Sequence, residues 1–128
     1  MADTEQLKDK QYIEPNPRPA LLKSQTTAIE VPWGTGVTKA YVTLSFDSKG
    51  YICEVFATAG KAGSELQGMT EAACRAGSLL LRFGVDPKHL ADAWAGIQSG
   101  SAPAFAGEGE KYFSVPDAIA KVIRKAME

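Results

Sequence analysis

From Val37 to Thr58 the chain reads VTKAYVTLSFDSKGYICEVFAT. Two runs rich in β-branched and aromatic residues flank Asp47-Ser48-Lys49-Gly50. Aspartate opens a turn there, and glycine supplies the positive φ that closes it. A four-residue loop pairs Phe46 with Tyr51, Leu44 with Cys53, Val42 with Val55 and Ala40 with Ala57. Side chains alternate across a strand, so these apolar or nearly apolar residues share one face, the expected core. The other face carries Lys39, Tyr41, Thr43 and Ser45 against Thr58, Phe56, Glu54 and Ile52, with Tyr41 across from Phe56. It is too apolar for a solvated sheet face. A cover is expected, from the N-terminal arm, a helix, or a second copy of the chain.

Upstream of the hairpin, Thr26 to Val31 reads as a first strand ending at Pro32, followed by a turn at Trp33-Gly34-Thr35-Gly36. Residues 1–24 read as an extended arm: polar, without periodicity, and carrying Pro15, Pro17 and Pro19. Residues 25–128 form the expected domain. Downstream come three helices. Ser64 caps the first, with Gln67 at the capping-box position; Leu66, Met69, Ala73, Ala76, Leu80 and Phe83 form its apolar stripe, and Gly84 ends it. Asp86-Pro87 starts a second helix with Leu90, Ala93, Trp94 and Ile97 inward. Residues 99–113 are a Gly/Ala/Ser-rich loop, and Ser114 caps a last helix with Asp117 at the box position and Val115, Ile119, Val122 and Ala126 inward. The sum is an α+β fold: an antiparallel meander with three helices, the long one packed across the sheet.

The composition bounds the function. A chain of 128 residues holds one domain and one core. Fourteen basic against fifteen acidic side chains leave a net charge of -1, which argues against the broad cationic field that duplex nucleic acid requires. No apolar run is long enough to span a bilayer, and the start, MADTEQLKDK, is too polar for a signal peptide. Two cysteines without an export signal point to the cytoplasm, with both thiols reduced. Two cysteines and one histidine do not make a closed zinc site, so no metal and no cofactor is expected.

No catalytic constellation emerges. His89 is the only histidine, no nucleophile-elbow motif occurs, and Cys53 and Cys74 fall on inward positions where thiols are inert. The informative stretch is Gly60-Lys61-Ala62-Gly63-Ser64-Glu65, which leads from a strand into the long helix. Free N–H groups and the positive end of a helix dipole favour an anion there. Lys61 adds a charge, Gly63 lets a ligand approach the backbone, and Ser64 adds a hydroxyl. The lysine precedes the second glycine, so this is not a Walker A loop. The plain alternative is a tight turn that Ser64 merely caps. Arg75 and Arg82, on one helix face with Glu71 and Ser78, are candidate phosphate ligands; the alternative there is a solvated stripe with a Glu71–Arg75 pair. Tyr41, Ile52, Glu54 and Phe56 are the candidate interface, in keeping with a homo-oligomer.

These residues carry a family resemblance. Glu54-Val55-Phe56, Gly60-Lys61-Ala62-Gly63-Ser64, Glu71-Ala72, Arg75, Ser78-Leu79 and Leu81-Arg82-Phe83-Gly84-Val85 resemble the TSCPD domain. That domain lies near the C-terminus of adenosylcobalamin-dependent ribonucleotide reductases and also occurs alone. Arg18-Pro19, Leu22-Lys23 and Tyr41-Val42-Thr43-Leu44 fit its opening, and Phe113-Ser114-Val115-Pro116-Asp117 aligns with its Thr-Ser-Cys-Pro-Asp motif. The resemblance covers roughly residues 18–127. Val115 stands for the motif cysteine and Phe113 for its threonine, so a metal or thiol role built on that cysteine is not open to this chain. The resemblance implies a non-catalytic module that binds a nucleotide or similar phosphate compound. Such a module can sequester a signalling nucleotide, as small phage-encoded binding proteins do, and would then work in the host cytoplasm. The alternative it implies is an accessory domain that docks on a reductase through protein contacts. Met1 and the arm fit a free-standing gene product and a cut-out domain equally well.

Overall fold

The computed structural model of the chain describes residues 10–99 and 111–128. Most of the expected loop 99–113 lies outside the described residues. Three strands, β1 (Lys23–Trp33), β2 (Gly36–Phe46) and β3 (Ile52–Ala59), form one antiparallel sheet in the order β1-β2-β3. Three helices follow: α1 (Glu65–Arg82), α2 (Pro87–Trp94) and α3 (Val115–Ala126). This is the expected α+β class. β1 begins three residues before the β-branched run that announced it, because polar Lys23, Ser24 and Gln25 still pair with Phe46, Ser45 and Leu44.

The hairpin register departs from the simple loop. Asp47 Oδ1 accepts the N–H groups of Lys49 (2.9 Å) and Tyr51 (3.0 Å), so the aspartate closes a longer turn on itself. Phe46 then pairs with Ile52, the register shifts at a bulge, and Leu44, Val42 and Ala40 face Val55, Ala57 and Ala59. A two-residue slip preserves the faces, which is why Val42, Leu44, Val55 and Ala57 are in the core as expected. The bulge changes the loop end. Ile52 turns into the core, Cys53 is half-buried, and Tyr51 is 67% exposed.

α1 buries a different stripe from the one its hydrophobic pattern predicts. Leu66, Thr70, Cys74, Gly77, Ser78 and Leu81 face inward; Met69 and Leu80 are exposed. The reason is the neighbour. α1 lies against β3, the sheet's edge, whose outward backbone groups need partners. Gln67 Oε1 accepts from Ala59 N–H (2.7 Å), and Ser78 Oγ accepts from Val55 N–H (3.0 Å) and donates to Val55 C=O (2.8 Å). The Cys74 thiol takes a hydrogen bond from the Ala57 backbone between them. Short polar side chains serve an edge that methionine or leucine would leave unsatisfied. Gly77 is in line with this closeness: a Cβ there would come within 2.8 Å of the Trp94 ring on α2. α3 packs on α2 and closes the core over β1 and β2 with Val115, Ile119, Val122 and Ile123.

Candidate functional site

The corner that joins β3 to α1 is a short, self-capped turn. Gly60 and Gly63 adopt φ of +73° and +80°, which side-chain-bearing residues avoid. Ser64 N–H donates to Lys61 C=O (3.0 Å), and Ser64 Oγ accepts from Gln67 N–H (3.2 Å). The Gln67 side chain, expected to reach back to Ser64, instead holds Ala59. Lys61 and Gly63 are exposed, and Lys61 has no carboxylate partner among the described residues. Lys61, Gly63 and Ser64 are therefore together, at the positive end of an 18-residue helix.

The two arginines do not join them. At 1.5 Å per residue, Arg75 stands about 16 Å and Arg82 about 27 Å along the helix axis from Ser64. Arg75 Nη2 pairs with Glu71 Oε1 at 3.3 Å, and both side chains are mostly exposed. That is the solvated stripe, worth about 0.3–0.5 kcal/mol. Arg82 sits at the last turn, half-buried, and its Nε is a buried donor without an acceptor among the described residues.

The expected interface also divides. Phe56 pairs with Thr43 and Tyr41 with Thr58, so the two rings are diagonal rather than opposed, each 44% exposed. Ile52 leaves this face for the core through the bulge. Glu54 is 3% exposed, and its carboxylate is held by Arg18, whose Nε contacts Oε1 and whose Nη2 lies 3.3 Å from Oε2. The arm is tied down at a second point, where Asn16 N–H donates to Arg82 C=O at 2.9 Å. One end of the sheet's outer face is thus covered by the chain's own arm, and Tyr41 and Phe56 stay open.

Sequence reasoning gave Asp117 a capping role only. Ser114 Oγ does accept from Asp117 N–H (3.1 Å). The carboxylate does more: Oδ1 accepts from Gly96 N–H (2.8 Å), and Oδ2 accepts from Phe113 N–H (2.9 Å) and lies 3.1 Å from Lys121 Nζ. Burial disfavours its charge most strongly, but the amide donors of Gly96 and Phe113, with Lys121, outweigh it and hold the carboxyl below its usual range. Asp117 clamps the end of α2 and the start of α3, where Ser99 N–H also meets Phe113 C=O at 2.9 Å. The capping-box spacing and the place of Asp117 in the Thr-Ser-Cys-Pro-Asp stretch were the signals of it.

The thiols are protonated. Burial pushes Cys74 up to about 11, and burial with the nearby Glu54 and Asp47 carboxylates raises Cys53. His89 is exposed on α2. Among the described residues, no three His, Cys, Asp or Glu side chains group to hold a metal, and no helix is long and apolar enough to cross a membrane.

Compared with known families, residues 12–127 match the model of the TSCPD domain. No curated protein and no solved structure matches the chain.

Proposed function

The chain belongs to the TSCPD domain family, and on that premise we propose that it is a non-catalytic binding module that captures a nucleotide or similar phosphate compound. The observation that carries this reading is Lys61. Its ammonium is exposed and unpaired among the described residues, on a turn opened by two left-handed glycines at the start of a long helix. A phosphate placed there meets a cation, the helix dipole and the first-turn N–H groups. Lys61, Gly63 and Ser64 form the site, without Arg75 or Arg82. Sequestering a signalling nucleotide in the cytoplasm, a phage's host cytoplasm included, is the role that capture without turnover would serve.

Calorimetry against mononucleotides and cyclic dinucleotides tests the reading. Binding should fall about tenfold in Lys61→Ala, the loss of one charge-assisted contact. Ligand recovered unchanged after denaturation separates capture from turnover. Absence of heat with every member of the panel at millimolar ligand would sink the proposal.

A second reading rests on the open sheet face. Tyr41 and Phe56 are large, exposed and adjacent, as an adaptor that docks on a reductase or self-associates would need. Sedimentation of the wild type and a Tyr41→Ser/Phe56→Ser variant distinguishes them. A monomer in both cases, with no reductase retained in a pull-down, argues against this role.

A further inference from the structure

The two edges of the sheet differ. At the β3 edge every second residue turns its backbone outward, and Ser78, Cys74 and Gln67 of α1 meet Val55, Ala57 and Ala59 there. At the β1 edge the hairpin sets which groups point outward. Trp33 pairs with Gly36 across the two-residue turn Gly34-Thr35, so odd-numbered residues of β1 bond to β2 and even-numbered ones point away. The N–H and C=O groups of Ser24, Thr26, Ala28 and Glu30 therefore stand on the open edge. Pro32, next in that series, has no N–H to leave unmet, and an open edge is where a sheet tolerates proline. Among the described residues no backbone group outside the β1–β2 pairing bonds to this strand. Lys23 to Ala28 and Glu30 are all exposed, and the β1–β2 register runs without a bulge. Such an edge is a ready template for another strand.

The charge beside the edge selects the occupant. A groove of about 460 Å³ lies between β1 and α3, with Gln25, Thr27, Tyr112, Lys121 and Lys125 among its walls and no carboxylate. Gln25 and Thr27 are on the core-facing side of β1, yet both are exposed. Lys125, and Lys23 on the same side of β1, are exposed and have no carboxylate partner among the described residues. Lys121 shares its ammonium with Asp117. A strand added to β1 sends every second side chain toward this groove, where acidic groups are complementary. A second copy of the chain is not. Pairing two β1 edges sets groove against groove and lysine against lysine. We propose that the open edge of β1 takes up, as an antiparallel fourth strand, an extended segment of a partner protein with glutamate or aspartate at alternate positions. The four outward backbone positions hold the segment, and the lysines choose it.

NMR of the wild-type chain tests this, with an alternating Glu-Thr octapeptide as the probe. At millimolar peptide the amides of Ser24, Thr26, Ala28 and Glu30 should shift and exchange several-fold more slowly. Those of Thr27 and Ile29, already bonded to β2, should keep their exchange rates. An alternating Lys-Thr peptide should not bind. Nor should the Glu-Thr peptide N-methylated at its threonines, whose amides face β1 when its glutamates face the groove. Lys125→Ala, at an exposed position, should weaken binding about tenfold, the loss of one charge-assisted contact. The peptide controls on the wild type decide the matter if that variant does not fold. Amides of the four residues that millimolar Glu-Thr peptide leaves unmoved would overturn the proposal. So would equal binding by the Lys-Thr or the N-methylated peptide, or undiminished binding in a folded Lys125→Ala variant. Slow exchange of the four amides in the chain without peptide would overturn it too, and a dimer in sedimentation would then make a second copy the occupant.

Discussion

Replacing Asp117 by asparagine keeps its shape and changes one acceptor into a donor. In the folded chain both oxygens are in use, Oδ1 by Gly96 N–H and Oδ2 by Phe113 N–H and Lys121. The asparagine oxygen can serve one of the two amides. The other then faces an NH2 group inside the protein, where Asp117 is 2% exposed. An unsatisfied buried donor costs about 1–3 kcal/mol. Loss of the partly exposed Lys121 pair adds about 0.5 kcal/mol. Asp117→Asn should therefore destabilise the domain by about 2–3 kcal/mol and lower Tm by roughly 10 °C. The effect should depend on pH with a definite sign. The folded carboxyl lies below its unfolded value, so its stabilisation is full above that unfolded value, about 3.9, and is lost as pH falls through the lower folded value. Urea unfolding followed by Trp33 and Trp94 fluorescence should separate wild type and variant at neutral pH and bring them together in acid. A neutral-pH difference under about 0.5 kcal/mol, or one unchanged at about pH 3, would refute the carboxylate clamp.

Three further single substitutions and one double variant probe the packing. Gly77→Ala adds a Cβ 2.8 Å from Trp94 Cη2 and 3.2 Å from Leu90 Cδ2; crowding of about 1–3 kcal/mol should exceed the gain of about 1 kcal/mol in helix propensity, and a more stable variant in urea would show that α2 yields freely. Ser78→Ala strips both backbone groups of Val55 of their partner and should cost about 1–3 kcal/mol, with faster amide exchange at Val55; unchanged exchange would remove Ser78 from the edge. Arg18→Ala leaves the Glu54 carboxylate enclosed without its cation and should cost about 1–2 kcal/mol, discounted because Arg18 is half exposed, and should make the arm more sensitive to limited proteolysis. Adding Glu54→Gln should recover most of that loss; additive losses would mean the two residues act separately.

The parts of the fold legible in the sequence were those set by local chemistry. Ser64, Asp86 and Ser114 cap the three helices as read, and Gly84, with φ of +88°, follows the end of α1. The inner face of α3 was also plain, because Val115, Ile119 and Val122 rest on an apolar core that asks only for apolar neighbours. α1 was misread for the opposite reason. Its partner is a strand edge with unmet backbone groups, so burial there selects Gln67, Cys74 and Ser78 over Met69 and Leu80. A hydrophobic pattern does not register a neighbour that demands hydrogen bonds. The hairpin kept its faces and lost its pairs: Asp47 bonded its own turn and forced a bulge, and every expected partner slid by one or two residues. Ile52 changed faces at that bulge, and the expected interface lost a member.

The family motif gives the last constraint on where function lies in this chain. Ser114 is the buried cap of α3, Val115 is 4% exposed in the core, Pro116 sits in the helix's first turn, and Asp117 is the clamp. Phe113 contributes to that clamp through its backbone, an N–H to Asp117 and a C=O to Ser99, which a change of side chain leaves in place. Each motif position thus has a structural task that requires no ligand. The motif accounts for how α2 and α3 are joined, and it offers no reactive group, since the position of the family's cysteine carries a valine. Binding chemistry has to be sought in groups the fold does not use for itself. One such cationic group stands at the start of α1: Lys61, exposed with no carboxylate partner among the described residues. Arg75, satisfied by Glu71, does not compete with it.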